Sequence, residues 1–137
     1  MPVGAQVTVE ETSRSYYSVG RISTTIAEHL EWDFSNIWMP DHVFARLPRD
    51  HPEISNPIEA MAHVLVYPIS VGIDDDPNFV RFLIEATAMR QAGFVSSKRM
   101  RFVDVIVELR HVDGEIIPRG YHLAPTRHGT RGRQLWQ

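Results

Sequence analysis

The sequence predicts an α+β domain, in which helices in the first half of the chain precede a sheet of consecutive strands in the second half. Apolar residues recur at helical spacing up to Pro68, and after this proline they alternate with polar residues at the spacing of strands. The connections between the later runs are short, which favours antiparallel neighbours. With 137 residues, the chain is most simply one domain spanning residues 1–137.

The first half of the chain is predicted to contain one strand, one extended segment and three helices. Gln6–Glu10 alternates polar and apolar residues as a strand does, and residues 1–15 are expected to be loosely attached. Ser35–Met39 is expected to be extended. Apolar spacing and helix-start residues predict the helices at Thr25–Trp32, Pro40–Leu47 and Ile58–Val66. The first of them is expected to open with a capping box of Thr25 and Glu28.

The second half of the chain is predicted to form the sheet. Runs rich in β-branched and aromatic residues predict strands at Phe79–Ala86, Phe102–Leu109, Glu115–Leu123 and Arg133–Trp136. Asp113-Gly114, between the second and third runs, is a strong hairpin signal. We therefore expect the first three runs to pair as one antiparallel sheet. The alternation then places Val103, Val105 and Val107 on one face and Phe102, Asp104 and Ile106 on the other.

Positive charge is concentrated towards the C-terminal end of the sequence. Residues 98–137 contain eight Lys or Arg against four Asp or Glu, whereas residues 1–97 contain six against thirteen. The net charge of −3 conceals this difference. A chain polarised in this way can direct one basic surface at an anion such as an RNA backbone, although ordinary surface charge gives similar counts.

Several classes of site are excluded or disfavoured by the composition. The absence of Cys excludes disulfides, zinc ribbons and thiol nucleophiles. No apolar run approaches the ~20 residues of a membrane-spanning helix, so no membrane partner is expected. The histidines lack the HExxH spacing of a metal site, and Asp74–Asp76 before Pro77 is more typical of a turn than of a cation site. We therefore predict neither a metal nor a cofactor.

Two histidines lie close together in the predicted second helix and the turn that follows it. His42 is in the first turn of this helix, and His51 lies between Asp50 and Pro52. A neutral imidazole is a suitable general base near pH 7, and a neighbouring carboxylate can orient it. Each histidine is also compatible with an ordinary surface position, so the spacing alone does not choose between these roles.

Basic and hydroxyl side chains are concentrated in two segments, one directly before the predicted strand at Phe102 and the other at residues 121–133. Lys98, Arg99 and Arg101 precede the strand at Phe102, where a guanidinium could face a phosphate or remain solvated. The segment 121–133 combines an imidazole, hydroxyls, guanidinium groups and glycines within a short stretch of chain. Its candidate contributors to a phosphate-facing surface are His122, Thr126, Arg127 and Arg131. A flexible basic terminus is the alternative interpretation.

Taken in this order, these residues resemble the barnase, EndoU, colicin and RelE-like (BECR) superfamily of metal-independent ribonucleases, and most closely its phage and polymorphic-toxin branches. The resemblance covers about residues 35–136. It is carried by His42, by Arg49-Asp50-His51-Pro52-Glu53, by Tyr67-Pro68 and Val71, by Phe102–Leu109, and by Tyr121, Thr126, Gly132 and Leu135-Trp136. The order and spacing of these motifs carry the similarity, since none of them is specific alone.

The resemblance implies two N-terminal helices packed on a twisted antiparallel β-sheet. It also implies an active surface that joins a histidine of the helical part to basic and hydroxyl residues of the strands. The roles that it implies are His51 or His42 as general base, Arg101 or Arg99 as phosphate clamp, and Thr126 with His122 on the later strand. The turn Asp50-His51-Pro52-Glu53 favours His51 over His42. We expect one residue of each of these three groups to meet in a single cleft.

The function expected from this resemblance is that of a metal-independent endoribonuclease toxin, which cleaves RNA by transphosphorylation through the 2′-hydroxyl. RNA and an immunity or antitoxin protein would be its partners, and its location would be the cytoplasm or a target cell into which it is delivered. The alternative is a non-catalytic nucleic-acid- or protein-binding module, such as an immunity or phage accessory protein on the same scaffold. The acidic first 97 residues favour this alternative somewhat.

Overall fold

The computed structural model describes residues 6–9, 14–73, 75–112, 114–127, 129 and 132–137. These residues form helices and strands in the order β1 (Gln6–Val9), β2 (Arg14–Arg21), α1 (Thr24–His29), β3 (Asn36–Pro40), α2 (Asp41–Asp50), α3 (Pro57–Val66), β4 (Ser70–Ile73), β5 (Phe79–Glu85), α4 (Ala86–Gln91), β6 (Phe102–Val112), β7 (Glu115–Thr126) and β8 (Arg133–Trp136). The predicted α+β class is confirmed.

The strands form one sheet in the order β1-β2-β3-β7-β6-β5-β4-β8. Every pairing is antiparallel except that of β3 with β7, which are parallel at Trp38 and Arg119. The expectation of a wholly antiparallel sheet is therefore wrong at this one position. No hairpin joins β3 to β7, so no short turn dictates their relative direction, and the long intervening chain allows a parallel pair.

The central part of the sheet confirms the predicted pairing of three strands. Asp104 pairs with Leu83 of β5 and with Ala124 of β7. The β6–β7 ladder continues to Val112 and Glu115, which confirms the hairpin, and Asp113 itself lies outside the described residues. The side chains of Val103, Val105 and Val107 are fully buried, as expected for one face of the strand.

The helices differ from the predicted ones at their ends. The N-cap of α1 is Ser23 rather than Thr25, because the Ser23 hydroxyl accepts a hydrogen bond from the Ile26 amide at 3.2 Å. Helix α2 continues past Leu47 to Asp50 with Pro48 inside it. Burial of Val43 and Leu47 favours this helix more than a proline near its end disfavours it, since tertiary packing overrides local propensity. Helix α3 forms as predicted.

Three elements were not predicted, namely β2, β4 and α4. The buried residues of β2 include Tyr16, Ser18 and Val19, which do not follow a strict alternation because a bulge lies between Ser18 and Gly20. Strand β4 has four residues and helix α4 has six, so neither is long enough to show a clear period.

Two glycines show how closely α3 approaches the strands beside it. A Cβ atom added at Gly20 would lie 3.0 Å from the Ala62 Cα, and one added at Gly120 would lie 3.1 Å from the Met61 Sδ. Met61 and its helix neighbours Val64 and Leu65 are fully buried within the same hydrophobic cluster as the valines of β6. This cluster lies on one face of β6 and leaves the face that carries Asp104 for polar side chains.

Helix α2 contacts β7 and thereby positions its own C-terminal end beside this strand. Strand β3 runs parallel to β7, and α2 begins at Asp41, directly after the last residue of β3. The ring of Phe44 stacks on that of Tyr17 in β2, with the centroids 4.0 Å apart, and α2 also contacts β3 and β7. The last helical residue is Asp50, and the C-cap residue His51 lies beside the second half of β7.

Among the described residues, no helix has the length and apolar character that crossing a membrane requires.

Candidate functional site

Two histidines from distant parts of the sequence meet beside β7. The rings of His51 and His122 lie nearly perpendicular, at 84°, with their centroids 6.2 Å apart. His51 comes from the end of α2, and His122 comes from β7, where it pairs with Ile106 of β6. Both side chains remain partly open to solvent, with exposed fractions of 31% and 41%. A substrate can therefore reach both rings.

Each ring has a carboxylate close to one of its nitrogens. The Nδ1 atom of His51 lies 2.9 Å from Glu53 Oε1, within hydrogen-bond distance. The Nε2 atom of His122 lies 3.7 Å from Asp104 Oδ1, slightly beyond that distance. These contacts leave His51 Nε2 and His122 Nδ1 for a ligand. A carboxylate behind each imidazole is the arrangement that orients the ring and compensates its charge when it is protonated.

Arg81 forms an ion pair with Asp104 through the carboxylate oxygen that does not face His122. Arg81 donates from Nε to Asp104 Oδ2 at 2.7 Å, and its Nη1 donates to the carbonyl oxygen of Gly129 at 2.8 Å. The side chains of both Arg81 and Asp104 are largely buried. The second carboxylate oxygen, Oδ1, is buried, has no hydrogen-bond partner among the described residues, and is the one that faces His122. A short movement of the ring would form this bond, as happens at sites that tighten when substrate binds.

The surroundings of His122 favour its neutral form. Burial lowers the pKa of His122 below its usual value, Asp104 opposes this effect, and the charges of His51, Arg46 and Arg81 lower the pKa further. A neutral imidazole can accept a proton at neutral pH. The geometry and the electrostatics therefore both suit His122 to act as a general base.

Charged side chains of both signs lie near the histidine pair. The guanidinium of Arg46, which acts on His122, is about half exposed and forms an ion pair with Asp50 at 3.3 Å. Asp75 and Asp76 line a cavity of about 250 Å³ together with Arg81 and Ile106. This cavity lies towards the Phe79 end of β5, so that end of the site is acidic.

The arginines predicted from the sequence form a second group, where β6 begins at Phe102 and β7 ends at Thr126. Arg99, Arg101 and Arg127 line one cavity of about 440 Å³. They converge because Phe102, next to Arg101, pairs with Thr126, next to Arg127. Thr126 thus lies beside this cavity.

The other predicted site residues are placed as follows. Lys98 is exposed in the segment before β6, and Arg131 lies outside the described residues. His42 is exposed in the first turn of α2, nine residues before His51 and therefore roughly 13 Å from it along the helix axis. The structure thus brings together His51 with His122 as one group, and Arg99 with Arg101 and Arg127 as a second group. Among the described residues, the expected meeting of one of these arginines with the histidines in a single cleft is therefore not found.

Three residues of the histidine site were given no role in it from the sequence, namely Glu53, Arg81 and Asp104, although Glu53 belongs to the motif that carries the resemblance. Asp104 and Arg81 are charged residues with apolar neighbours on both sides in the sequence, and this is the signal that could have indicated them, since a buried charge requires a partner. Their pairing depends on the register of β5 with β6, which places Arg81 opposite Ile106 and one diagonal step from Asp104.

A further cavity, of about 680 Å³, lies apart from both groups. It is lined by residues of α3, β5 and α4 with the segment between α3 and β4, and its rim exposes Tyr67 by 63% and Ile69 by 38%. The ring of Tyr67 packs against that of His63, with the centroids 4.9 Å apart. The cavity shares no lining residue with the histidine pair.

Within the ranges that the structure describes, no group of three or more His, Cys, Asp or Glu side chains is arranged to hold a metal ion. Comparisons with family models, with curated proteins and with solved structures found no match for this chain.

Proposed function

We propose that this protein is a metal-independent endoribonuclease that cleaves RNA by transphosphorylation, with His51 and His122 as its acid–base pair. The observation that carries the proposal is the perpendicular pair of solvent-accessible imidazoles, each with a carboxylate at one nitrogen and the other nitrogen available. Cleavage of a phosphodiester by this route requires two proton transfers on opposite sides of one phosphorus. A pair of histidines 6.2 Å apart suits that requirement.

His122 is the base in this mechanism. Its neutral ring removes the proton of the ribose 2′-hydroxyl, and the resulting oxygen attacks the adjacent phosphorus. The P–O5′ bond breaks, and the leaving 5′-oxygen takes a proton from His51. The products are a 2′,3′-cyclic phosphate and a 5′-hydroxyl, and the two histidines have exchanged their protonation states.

The environments of the two rings support this division of roles. The pKa of His122 is lowered by burial and by the neighbouring positive charges, which keeps this ring neutral and able to accept a proton. His51 has the carboxylate of Glu53 at 2.9 Å, which can balance the charge of a protonated ring. His51, which the resemblance favoured as the base, therefore suits the role of the acid in the same pair.

Positive charge near the reacting phosphate stabilises the charge that develops in the transition state. Arg46 is the basic side chain that suits this role, because it acts electrostatically on His122 and its guanidinium is half exposed. Arg81 is held by Asp104 and by the Gly129 carbonyl, so it acts through Asp104 and not on the substrate.

The experiment is incubation of the purified protein with labelled RNA in excess chelator. We expect cleavage products that end in a 2′,3′-cyclic phosphate, and no cleavage of the same oligonucleotide in 2′-deoxy form, because that strand lacks the nucleophile. Cleavage that requires an added metal ion, or equal cleavage of DNA, would refute the proposed mechanism.

A second candidate function is a non-catalytic protein-binding module, and one observation favours it. The cavity rimmed by Tyr67 and Ile69 exposes apolar and aromatic surface that the proposed reaction does not use. Under this alternative the chain itself would be an immunity or phage accessory protein, and the cavity would contact its protein partner. The two candidates differ in a simple way, since a binding module leaves RNA intact under all conditions of the cleavage assay.

A further inference from the structure

We propose that the cavity lined by Arg99, Arg101 and Arg127 binds a non-scissile phosphate of the RNA strand that enters the histidine pair, so that cleavage depends on the length of the substrate. This inference rests on the proposed function, and it names the substrate class of the same site as an oligonucleotide with phosphates beyond the one that reacts.

Three like charges converge at this cavity. The side chains come from two segments, before β6 and after β7, and all three residues are exposed. Among the described residues, only these arginines line the cavity, and none of them has a carboxylate within ion-pair distance. Three guanidinium groups around one cavity repel each other, and a bound anion offsets this repulsion.

The chemistry of the guanidinium groups determines which anion fits the cavity. A guanidinium presents a planar fork of donors that matches two phosphate oxygens, and its charge is constant across the working pH range. The three guanidinium groups line an open cavity of about 440 Å³. Such a cavity suits a phosphate that remains attached to a nucleotide strand, because the rest of the strand can continue into the solvent.

The charge changes sign from one end of this face of the sheet to the other. Asp75 and Asp76 line a cavity at the Phe79 end of β5, and the three arginines lie at the Phe102 end of β6. The histidine pair lies between them, because Ile106 pairs with both Arg81 and His122. A polyanion that places one phosphate at the histidines is repelled at the acidic end and attracted at the basic end.

The distance between the arginine cavity and the histidine pair sets the length of strand that can reach both. Along the strands at ~3.3 Å per residue, Arg101 lies roughly 10 Å from Asp104, and Arg127 lies roughly 16 Å from His122. A strand stacked at ~3.4 Å per phosphate spans this distance in roughly three to five nucleotides, and an extended strand spans it in fewer. A dinucleotide with a single phosphate therefore cannot occupy both positions.

The test compares a dinucleoside monophosphate with a ten-nucleotide strand that has a single ribose and otherwise deoxyribose. Both substrates offer one cleavable linkage. We expect the wild-type protein to cleave the longer strand with a kcat/KM at least roughly 10-fold higher, the order expected for charge-assisted phosphate contacts. The double variant Arg101→Gln/Arg127→Gln should lose this gain and cleave the dinucleotide at the wild-type rate. Arg110→Gln, an exposed arginine at the far end of β6, is the matched control.

Several results would overturn the inference. Equal loss on both substrates would mean that these arginines contact the scissile phosphate. No loss on either would mean that they are a solvated surface. Suppression of the dinucleotide reaction by millimolar inorganic phosphate, without a length effect, would indicate a site for a free anion.

A binding measurement separates this inference from the proposed function. If the wild-type protein cleaves no RNA, the all-deoxy ten-nucleotide strand is titrated at several salt concentrations by fluorescence anisotropy. A double variant whose salt slope falls by about 0.7 units, the value for one lost phosphate contact on a single strand, would support the phosphate site although the enzyme proposal has failed. An unchanged slope would refute the phosphate site as well.

Discussion

His51 and His122 form an edge-to-face pair, with ring centroids 6.2 Å apart, although one belongs to the end of helix α2 and the other to the middle of strand β7. Their carboxylate partners, Glu53 and Asp104, lie on the sides of the rings that are not needed for a substrate. This relationship is the basis for the proposed acid–base chemistry, and five predictions follow from it and from the fold that supports it.

Replacement of the proposed base should remove most of the activity. His122→Ala should lower the rate of RNA cleavage by roughly two to four orders of magnitude, the range for a positioned acid or base. The side chain is 41% exposed, so the variant should fold normally, as circular dichroism would show. His111→Ala, an exposed histidine of β6, is the control and should keep the wild-type rate.

The two histidines of α2 should differ sharply. His51→Ala should lower the cleavage rate by roughly two to four orders of magnitude, because it removes the second member of the pair. His42→Ala should have little effect, because His42 is roughly 13 Å away at the other end of the helix. If steady-state kinetics showed the opposite order, the acid would have to be reassigned to His42.

The pH profile should report the lowered pKa of His122. Since the base must be neutral, kcat/KM should rise with pH along an acidic limb whose midpoint lies below the ordinary histidine value of ~6.5. Asp104 raises this pKa, so Asp104→Asn should move the midpoint lower still. NMR titration of the His122 ring should give the same midpoint, and a value above 6.5 in the wild-type protein would contradict the assignment.

The buried ion pair between Arg81 and Asp104 should contribute far more to stability than the exposed pair between Arg46 and Asp50. Arg81→Gln should lower the free energy of unfolding by roughly 3 kcal/mol, because it leaves the largely buried Asp104 carboxylate without its partner. Arg46→Gln removes an exposed i,i+4 pair and should cost about 0.5 kcal/mol or less. Urea denaturation measures both, and equal effects would show that the Arg81–Asp104 pair contributes no more than a surface pair.

The contact between β2 and α3 can be tested at a glycine. Gly20 has a φ of +142°, and an added Cβ would meet the backbone of Ala62 at 3.0 Å, so Gly20→Ala should cost roughly 3 kcal/mol through strain and overpacking together. Gly93 has a φ of +86° but open space around it, so Gly93→Ala should cost only about 1 kcal/mol. Similar midpoints of urea unfolding for the two variants would mean that α3 does not lie against β2 as described.

The sequence alone was sufficient for the features that depend on neighbouring residues. The alternation in Phe102–Leu109 and the Asp-Gly turn predicted the β6–β7 hairpin, and apolar spacing predicted α3, because side-chain direction in a strand or helix repeats with a fixed period. Composition and order also singled out His51, His122 and the arginine cluster. In each case the signal lies within one short segment.

Only the tertiary structure decided which of these residues meet. The pairing of β5 with β6 brings Arg81 to Asp104, and the parallel course of β3 beside β7 carries α2 to the point where His51, and not His42, faces His122. Strand β2 and the parallel pair were missed for the same reason. Contacts between distant segments are set by the packing of the whole core and by strand register, and neither leaves a local periodic signal in the sequence.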